Sequence, residues 1–167
     1  MMHIYCGDGK GKTTAALGLA LRAAGSGMRV LFVQFLKGSQ TSELASLARI
    51  PQITVLRCDR DYGFTFRMTQ EEKAALTRCH NHMLAQIRAQ LSDIGLLVLD
   101  EFCAAYNQNL MDCNAAEQLI ADCKAELVLT GRDPAEKFLE LADYVSEIRA
   151  VKHPYTNGTA ARKGIEY

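Results

Sequence analysis

The sequence predicts a single α/β domain spanning residues 1–167, with a mainly parallel sheet and helices on both faces. Three observations carry that expectation. Short, almost continuously apolar runs recur along the chain, as strands buried on both faces require. Longer segments of helical pattern separate them, and strands joined through helices pair in parallel. The 167 residues are 49% hydrophobic and 23% charged, a balance suited to one globular core. Repeats, low-complexity tracts and linkers are absent.

The first run, HIYC (3–6), leads into a glycine-rich loop. A helix is expected from about Lys12 to Ala24, stopping at Gly25-Ser26-Gly27. RVLFVQF (29–35) and QITVLR (52–57) read as the next two strands. A long helix opens after Thr69, because Thr69 and Glu72 stand in capping-box register. GLLVLDEF (95–102) and AELVLTGR (125–132) are two more buried strands. Pro134 suits the first turn of a following helix, and YVSEIRAV (144–151) makes a last strand.

Charge excludes some partners. The 19 basic residues balance 19 acidic ones, so no nucleic-acid or anionic-membrane surface is expected. No apolar run is long enough for a membrane helix, and MMHIYCGDG lacks the features of a signal peptide. The expected location is cytoplasmic. Six cysteines, at 6, 58, 79, 103, 113 and 123, form no C-x-x-C pair and read as scattered reduced thiols. His80 and His82 are two apart, point to different faces of a helix, and read as surface residues.

The chemistry concentrates in HIYCGDGKGKTTAALG (3–18). Glycines at a strand-to-helix junction let backbone N–H groups converge on phosphate oxygens. Lys12 supplies a point charge, and the Thr13 hydroxyl suits Mg²⁺ or Mn²⁺. The usual spacing is G-x-x-x-x-G-K-[ST]. In this chain only Asp8, Gly9 and Lys10 separate Gly7 from Gly11-Lys12-Thr13, so the loop is one residue short. The bland alternative is a glycine-rich turn with its lysines in solvent. A strand before, a helix after and Gly-Lys-Thr-Thr together argue against it, and ATP or a similar polyphosphate is the expected ligand. The fold expected is therefore that of a P-loop NTPase.

LLVLDE adds an acidic pair, Asp100-Glu101, at a strand's carboxyl end, where such proteins hold their metal. Glu101 is the expected direct or water-mediated metal contact, with Asp100 orienting the shell. Arg132 and Lys37 also follow strands and suit developing phosphate charge, although a surface role fits them nearly as well. On these residues alone an ordinary P-loop kinase or NTPase and a non-catalytic ATP-binding regulator both remain open.

The order of GDGKGKTTAALG, VQFLKG, GFTF, VLDE, LTGR, DYVSEIRAVKHPY and ARKGIEY resembles the phosphate-loop class of ATP:corrinoid adenosyltransferases over essentially the whole chain. The resemblance implies transfer of the 5′-deoxyadenosyl group of ATP to a reduced cobalt(I) corrinoid, with triphosphate leaving. It also implies a nucleotide reversed relative to ordinary phosphate-loop enzymes. Gly7, Asp8, Gly9, Lys10, Gly11, Lys12, Thr13 and Thr14 carry over as the ATP loop, joined by Arg22 and Arg132. Lys12, Thr13 and Glu101 carry over as the catalytic set, with Thr13 and Glu101 at the metal. Phe64 and Phe66 match the aromatic corrinoid-side motif, and in an extended chain their rings would point the same way. An electron-donating reductase and a homodimer belong to the same expectation.

Overall fold

The structure, a computed structural model, describes residues 1–63 and 65–166, apart from the side chain of Tyr155. Six strands form one sheet: β1 (Met2–Cys6), β2 (Val30–Gln34), β3 (Ile53–Arg57), β4 (Leu96–Asp100), β5 (Glu126–Thr130) and β6 (Tyr144–Glu147). Their order is β3-β2-β4-β5-β1-β6, and every pairing is parallel. All five residues of β2 and of β4 are buried, which is why these runs are continuously apolar.

Helices cover both faces. One face carries α1 (Lys12–Gly25) and the short α2 (Glu43–Leu47). Ala16, Ala20, Ala23 and Ala24 of α1 recur at helical spacing and pack on Phe32, Val98 and Val128. Their small side chains let the helix axis lie close to the sheet. The opposite face carries α3 (Gln70–Gln90), α4 (Phe102–Asn107), α5 (Cys113–Asp122) and α6 (Glu136–Leu141). Leu76, Met83, Leu84 and Ile87 of α3, with Phe102, Leu119 and Phe138, close the larger core over Leu31, Val33, Leu97 and Leu99.

The capping box at α3 forms as expected: Glu72 N–H donates to Thr69 Oγ1 at 3.2 Å, and Thr69 N–H donates to Glu72 Oε2 at 2.8 Å. Helix α6 differs in its start. It begins at Glu136 with Ala135 as its cap, so Pro134 precedes the first turn instead of occupying it. The last strand is shorter than expected, because beyond Glu147 the chain leaves the edge to run along the glycine loop. Helices α2, α4 and α5 were not expected, although α5 has a local cap in Asp112, whose side chain accepts the Ala115 amide at 3.0 Å.

Two side-chain expectations are corrected. Cys58 and Cys79 are joined in a disulfide, with Cα atoms 6.2 Å apart, because the end of β3 and the third turn of α3 lie side by side. The other four cysteines are free. His80 is fully buried, not a surface residue. Its Nδ1 lies 2.7 Å from Leu110 O and its Nε2 accepts the Leu36 amide at 3.4 Å. Among the described residues no helix is long and apolar enough to cross a membrane.

Candidate active site

β1 stops at Cys6, and Gly7 turns the chain with φ 96°. A side chain at Gly7 would not fit, since its Cβ would lie 2.5 Å from Ile148 O. Gly7 N–H donates to Arg132 O at 3.1 Å, and Gly9 N–H donates to Ile148 O at 2.8 Å. From the other direction, Ala150 N–H donates to Asp8 Oδ1 at 3.1 Å. The short loop is thus tied flat against residues 147–150, with the amides of Gly7 and Gly9 already engaged. The stretch left to meet an anion is Lys10–Thr14, at the positive end of α1. Lys12 curls over the loop, its Nζ donating to Gly7 O at 2.7 Å and Gly9 O at 2.8 Å.

The acid side is organised by Asp100, which is fully buried. Its Oδ1 accepts the hydroxyls of Thr13 at 2.9 Å and Thr130 at 2.7 Å. Its Oδ2 accepts Lys37 Nζ at 2.6 Å, and the same ammonium donates to Thr13 Oγ1 at 3.2 Å. β5 lies between β1 and β4 in the sheet, which is what brings Thr130 between the loop and the acid. Glu101 follows in the left-handed region with φ 58°, its N–H donating to Thr130 Oγ1 at 2.9 Å. Burial, and next the charge of Asp100, push the Glu101 carboxyl up, while Lys37, Lys12 and Arg132 oppose the rise. The strand-end acid in contact with the Thr13 hydroxyl is therefore Asp100, while Glu101, the expected metal contact, lines the cavity beside it.

Residues 8–14, Glu101 and Arg132 line one cavity of about 330 Å³. His153, Ile165 and Glu166 complete its wall and were not singled out from the sequence, although they lie in the HPY and KGIEY segments. Lys10 turns toward Glu166, with Nζ 3.5 Å from its carboxylate. Glu166 is held down to about 2 by hydrogen bonds from the Arg162 side chain and amide. At Thr13 and Thr14 the cavity adjoins a second cleft of about 510 Å³, walled by Lys37, Ser39, Thr41, Ser42, Glu43 and Ser46.

Two expected residues are not brought to this cavity. Arg22 sits in the last turn of α1, ten residues beyond Lys12 and so about 15 Å along the helix. It lines a separate groove with Met1, His3, Glu126 and Tyr144. Phe66 lies in a 3₁₀ turn, Thr65–Arg67, between β3 and α3, with 76% of its surface exposed and the Arg67 guanidinium 5.4 Å from its ring. That turn is 3₁₀ and not extended over Thr65–Arg67. Phe64 itself lies outside the described residues.

A strand running into a glycine loop, a helix opening on Gly-Lys-Thr, and a buried strand-end aspartate bonded to that threonine define a phosphate-loop nucleotide-binding protein. Residues 1–167 match the family model described as ATP:corrinoid adenosyltransferase BtuR/CobO/CobP, and the chain belongs to that family. It is similar to the corrinoid adenosyltransferase of Pseudomonas aeruginosa, with 34% identity covering 100% of this chain and 83% of the relative. It is also similar to the corrinoid adenosyltransferase CobA of Salmonella typhimurium, with 33% identity covering 98% of this chain and 84% of the relative. For the corrinoid adenosyltransferase of Escherichia coli K12 the identity is 31%, over the same shares of both chains.

Proposed function

We propose that this protein transfers the 5′-deoxyadenosyl group of ATP to the cobalt of reduced cob(I)alamin or a corrinoid precursor. The cobalt(I) electron pair attacks C5′ of the ribose, a Co–C bond forms, and the C5′–O bond breaks. Triphosphate leaves with the bonding electron pair, so no general base is needed. Family membership supports the reaction class, and the joined cavities are the observation that carries it to this site. A triphosphate on Lys10–Thr14 leaves the hydroxyl-lined cleft beside α2 for the nucleoside. That course exposes C5′ between the two compartments.

Lys12, Arg132 and the start of α1 stabilise the charge gathering on the leaving triphosphate. A Mg²⁺ or Mn²⁺ ion fits Thr13 Oγ1 and Asp100, because an ammonium already bridges these two groups at 3.2 and 2.6 Å. Among the described residues no group of three or more His, Cys, Asp or Glu could hold a metal, so phosphate oxygens and water would complete the shell. The ion would supply further charge neutralisation on the leaving group. Glu101 lines the cavity with Asp8 and Glu166, lies next to the buried Asp100, and tunes that charge. Phe66, with Phe64, is the aromatic surface offered to the corrinoid; Arg22 has no part. The reading includes an electron-donating reductase, a homodimer and a cytoplasmic setting where ATP is available.

The test is incubation with ATP, Mg²⁺ and chemically reduced cobalamin. A light-sensitive adenosylcobalt product, formed one-to-one with triphosphate, is expected. ADP or orthophosphate in its place would make the protein a phosphoryl-transfer enzyme. Bound ATP without turnover would make it a regulator.

A further inference from the structure

Lys37 reaches Asp100 because the chain is bent toward it from both sides. Leu36, just before it, has φ 58°, in the left-handed region that a leucine rarely adopts. The buried His80 ring fixes that turn by accepting the Leu36 amide at 3.4 Å. Gly38, just after it, packs so tightly that a Cβ would lie 2.2 Å from Arg60 O. The lysine side chain, 23% exposed, runs inward from the rim of the larger cleft.

Its ammonium contacts Asp100 Oδ2 and Thr13 Oγ1, the two groups that suit a divalent cation. A lysine ammonium and a metal ion cannot share that position, since like charges so close repel strongly away from bulk water. Loss of the ammonium with nothing in its place is equally unfavourable, because it leaves the Asp100 carboxylate buried without a counter-charge.

We propose that Lys37 is the place-holding cation of the empty site. It balances Asp100 and orients the Thr13 hydroxyl until a metal–triphosphate complex arrives. It then swings aside at the junction of the two cavities, beside Thr13 and Thr14, and pairs with an oxygen of the arriving triphosphate. The free protein therefore discriminates against bare divalent metal, and metal and nucleotide enter together. This inference rests on the metal reading given above for Thr13 and Asp100.

The test is Mn²⁺ binding to nucleotide-free protein, followed by the loss of the free-ion electron paramagnetic resonance signal. Wild type should bind Mn²⁺ weakly alone, and in equilibrium dialysis it should retain the Mn²⁺–tripolyphosphate complex at least tenfold more tightly than Mn²⁺ alone. Lys37→Met should bind Mn²⁺ alone at least tenfold more tightly than wild type, and its melting temperature should rise with Mn²⁺. Adding Asp100→Asn to Lys37→Met should remove that gain, and Lys37→Arg should exclude the metal as wild type does. Equal Mn²⁺ affinity in wild type and Lys37→Met would overturn the inference, as would a gain that survives Asp100→Asn. If Lys37→Met does not fold, the wild-type comparison decides: Mn²⁺ bound as tightly without tripolyphosphate as with it refutes a place-holder. These measurements use neither corrinoid nor turnover, so their failure is distinct from failure of adenosyl transfer.

Discussion

Thr130 donates its hydroxyl to Asp100 Oδ1 at 2.7 Å while accepting the Glu101 amide at 2.9 Å. One buried oxygen on β5 thus fixes both consecutive acids at the end of β4. Thr130→Val keeps the shape and removes the hydroxyl, leaving a buried N–H unpaired. It should destabilise the fold by about 1–3 kcal/mol in urea unfolding. Thr130→Ser should lose less than half as much. Equal stability of Val and wild type would show that the two acids are positioned without it.

Lys12→Ala should lower turnover about 10²–10³-fold, the scale of losing one charge-stabilising donor at a leaving group. The melting temperature should hardly move, because among the described residues Lys12 bonds only to the carbonyls of its own loop. Near-wild-type turnover at saturating ATP would rule out a polyphosphate contact at this position.

Glu101→Gln separates activity from stability. The carboxyl is raised in the folded protein, so the folded state holds its proton more tightly than the unfolded chain. The stability this gives is complete below the ordinary value of 4.5 and is lost as pH rises through the raised one. At neutral pH the Gln variant should therefore be slightly more stable than wild type. It should also need more Mg²⁺ for turnover. A metal titration that matches wild type would leave Glu101 as scaffold.

His80 gives the opposite pH signature. Burial lowers its affinity for a proton, against the smaller effect of the Leu110 carbonyl. Stability from the neutral ring is complete above its ordinary value of 6.5 and is lost as pH falls below it. Unfolding free energies measured downward from pH 7 should decline in wild type and decline less in His80→Gln. Parallel curves for the two proteins would show that His80 does not carry the acid sensitivity.

The Cys58–Cys79 bond predicts that unfolded, unreduced protein exposes four thiols of the six, and that reductant releases the other two. Closing a loop across 21 residues should contribute on the order of 3 kcal/mol. The native thiol of Cys103, buried and pushed up to about 12, should stay unreactive. Six thiols titrating without reductant would exclude the bond.

The parallel sheet was legible because strands buried on both faces leave continuous apolar runs. The loop was legible because its glycines are demanded by backbone geometry. The bond between Asp100 and the Thr13 hydroxyl was not legible: it depends on a left-handed turn at Glu101, and no sequence pattern announces that turn. His80 was misjudged by comparison with His82. Compared with Leu76, Met83, Leu84 and Ile87, it falls on the same buried stripe of α3. The disulfide joins residues from different elements, which spacing rules cannot see. Helices α2 and α4 have five and six residues, too short to show a period.

β1 carries the glycine loop, yet its sheet partners come from far along the chain: Ile4 aligns with Leu129 on one side and Val145 on the other. During synthesis on the ribosome the loop emerges well before the segment that ties it down, Ile148 to Ala150. Pairings of such long range close slowly, because the intervening chain must be ordered before they form. The loop's bonds to Ile148 and Ala150 therefore form only when the segment after β6 docks. Nucleotide added during refolding should accelerate nothing before that step, and its capture reports that the whole domain has closed.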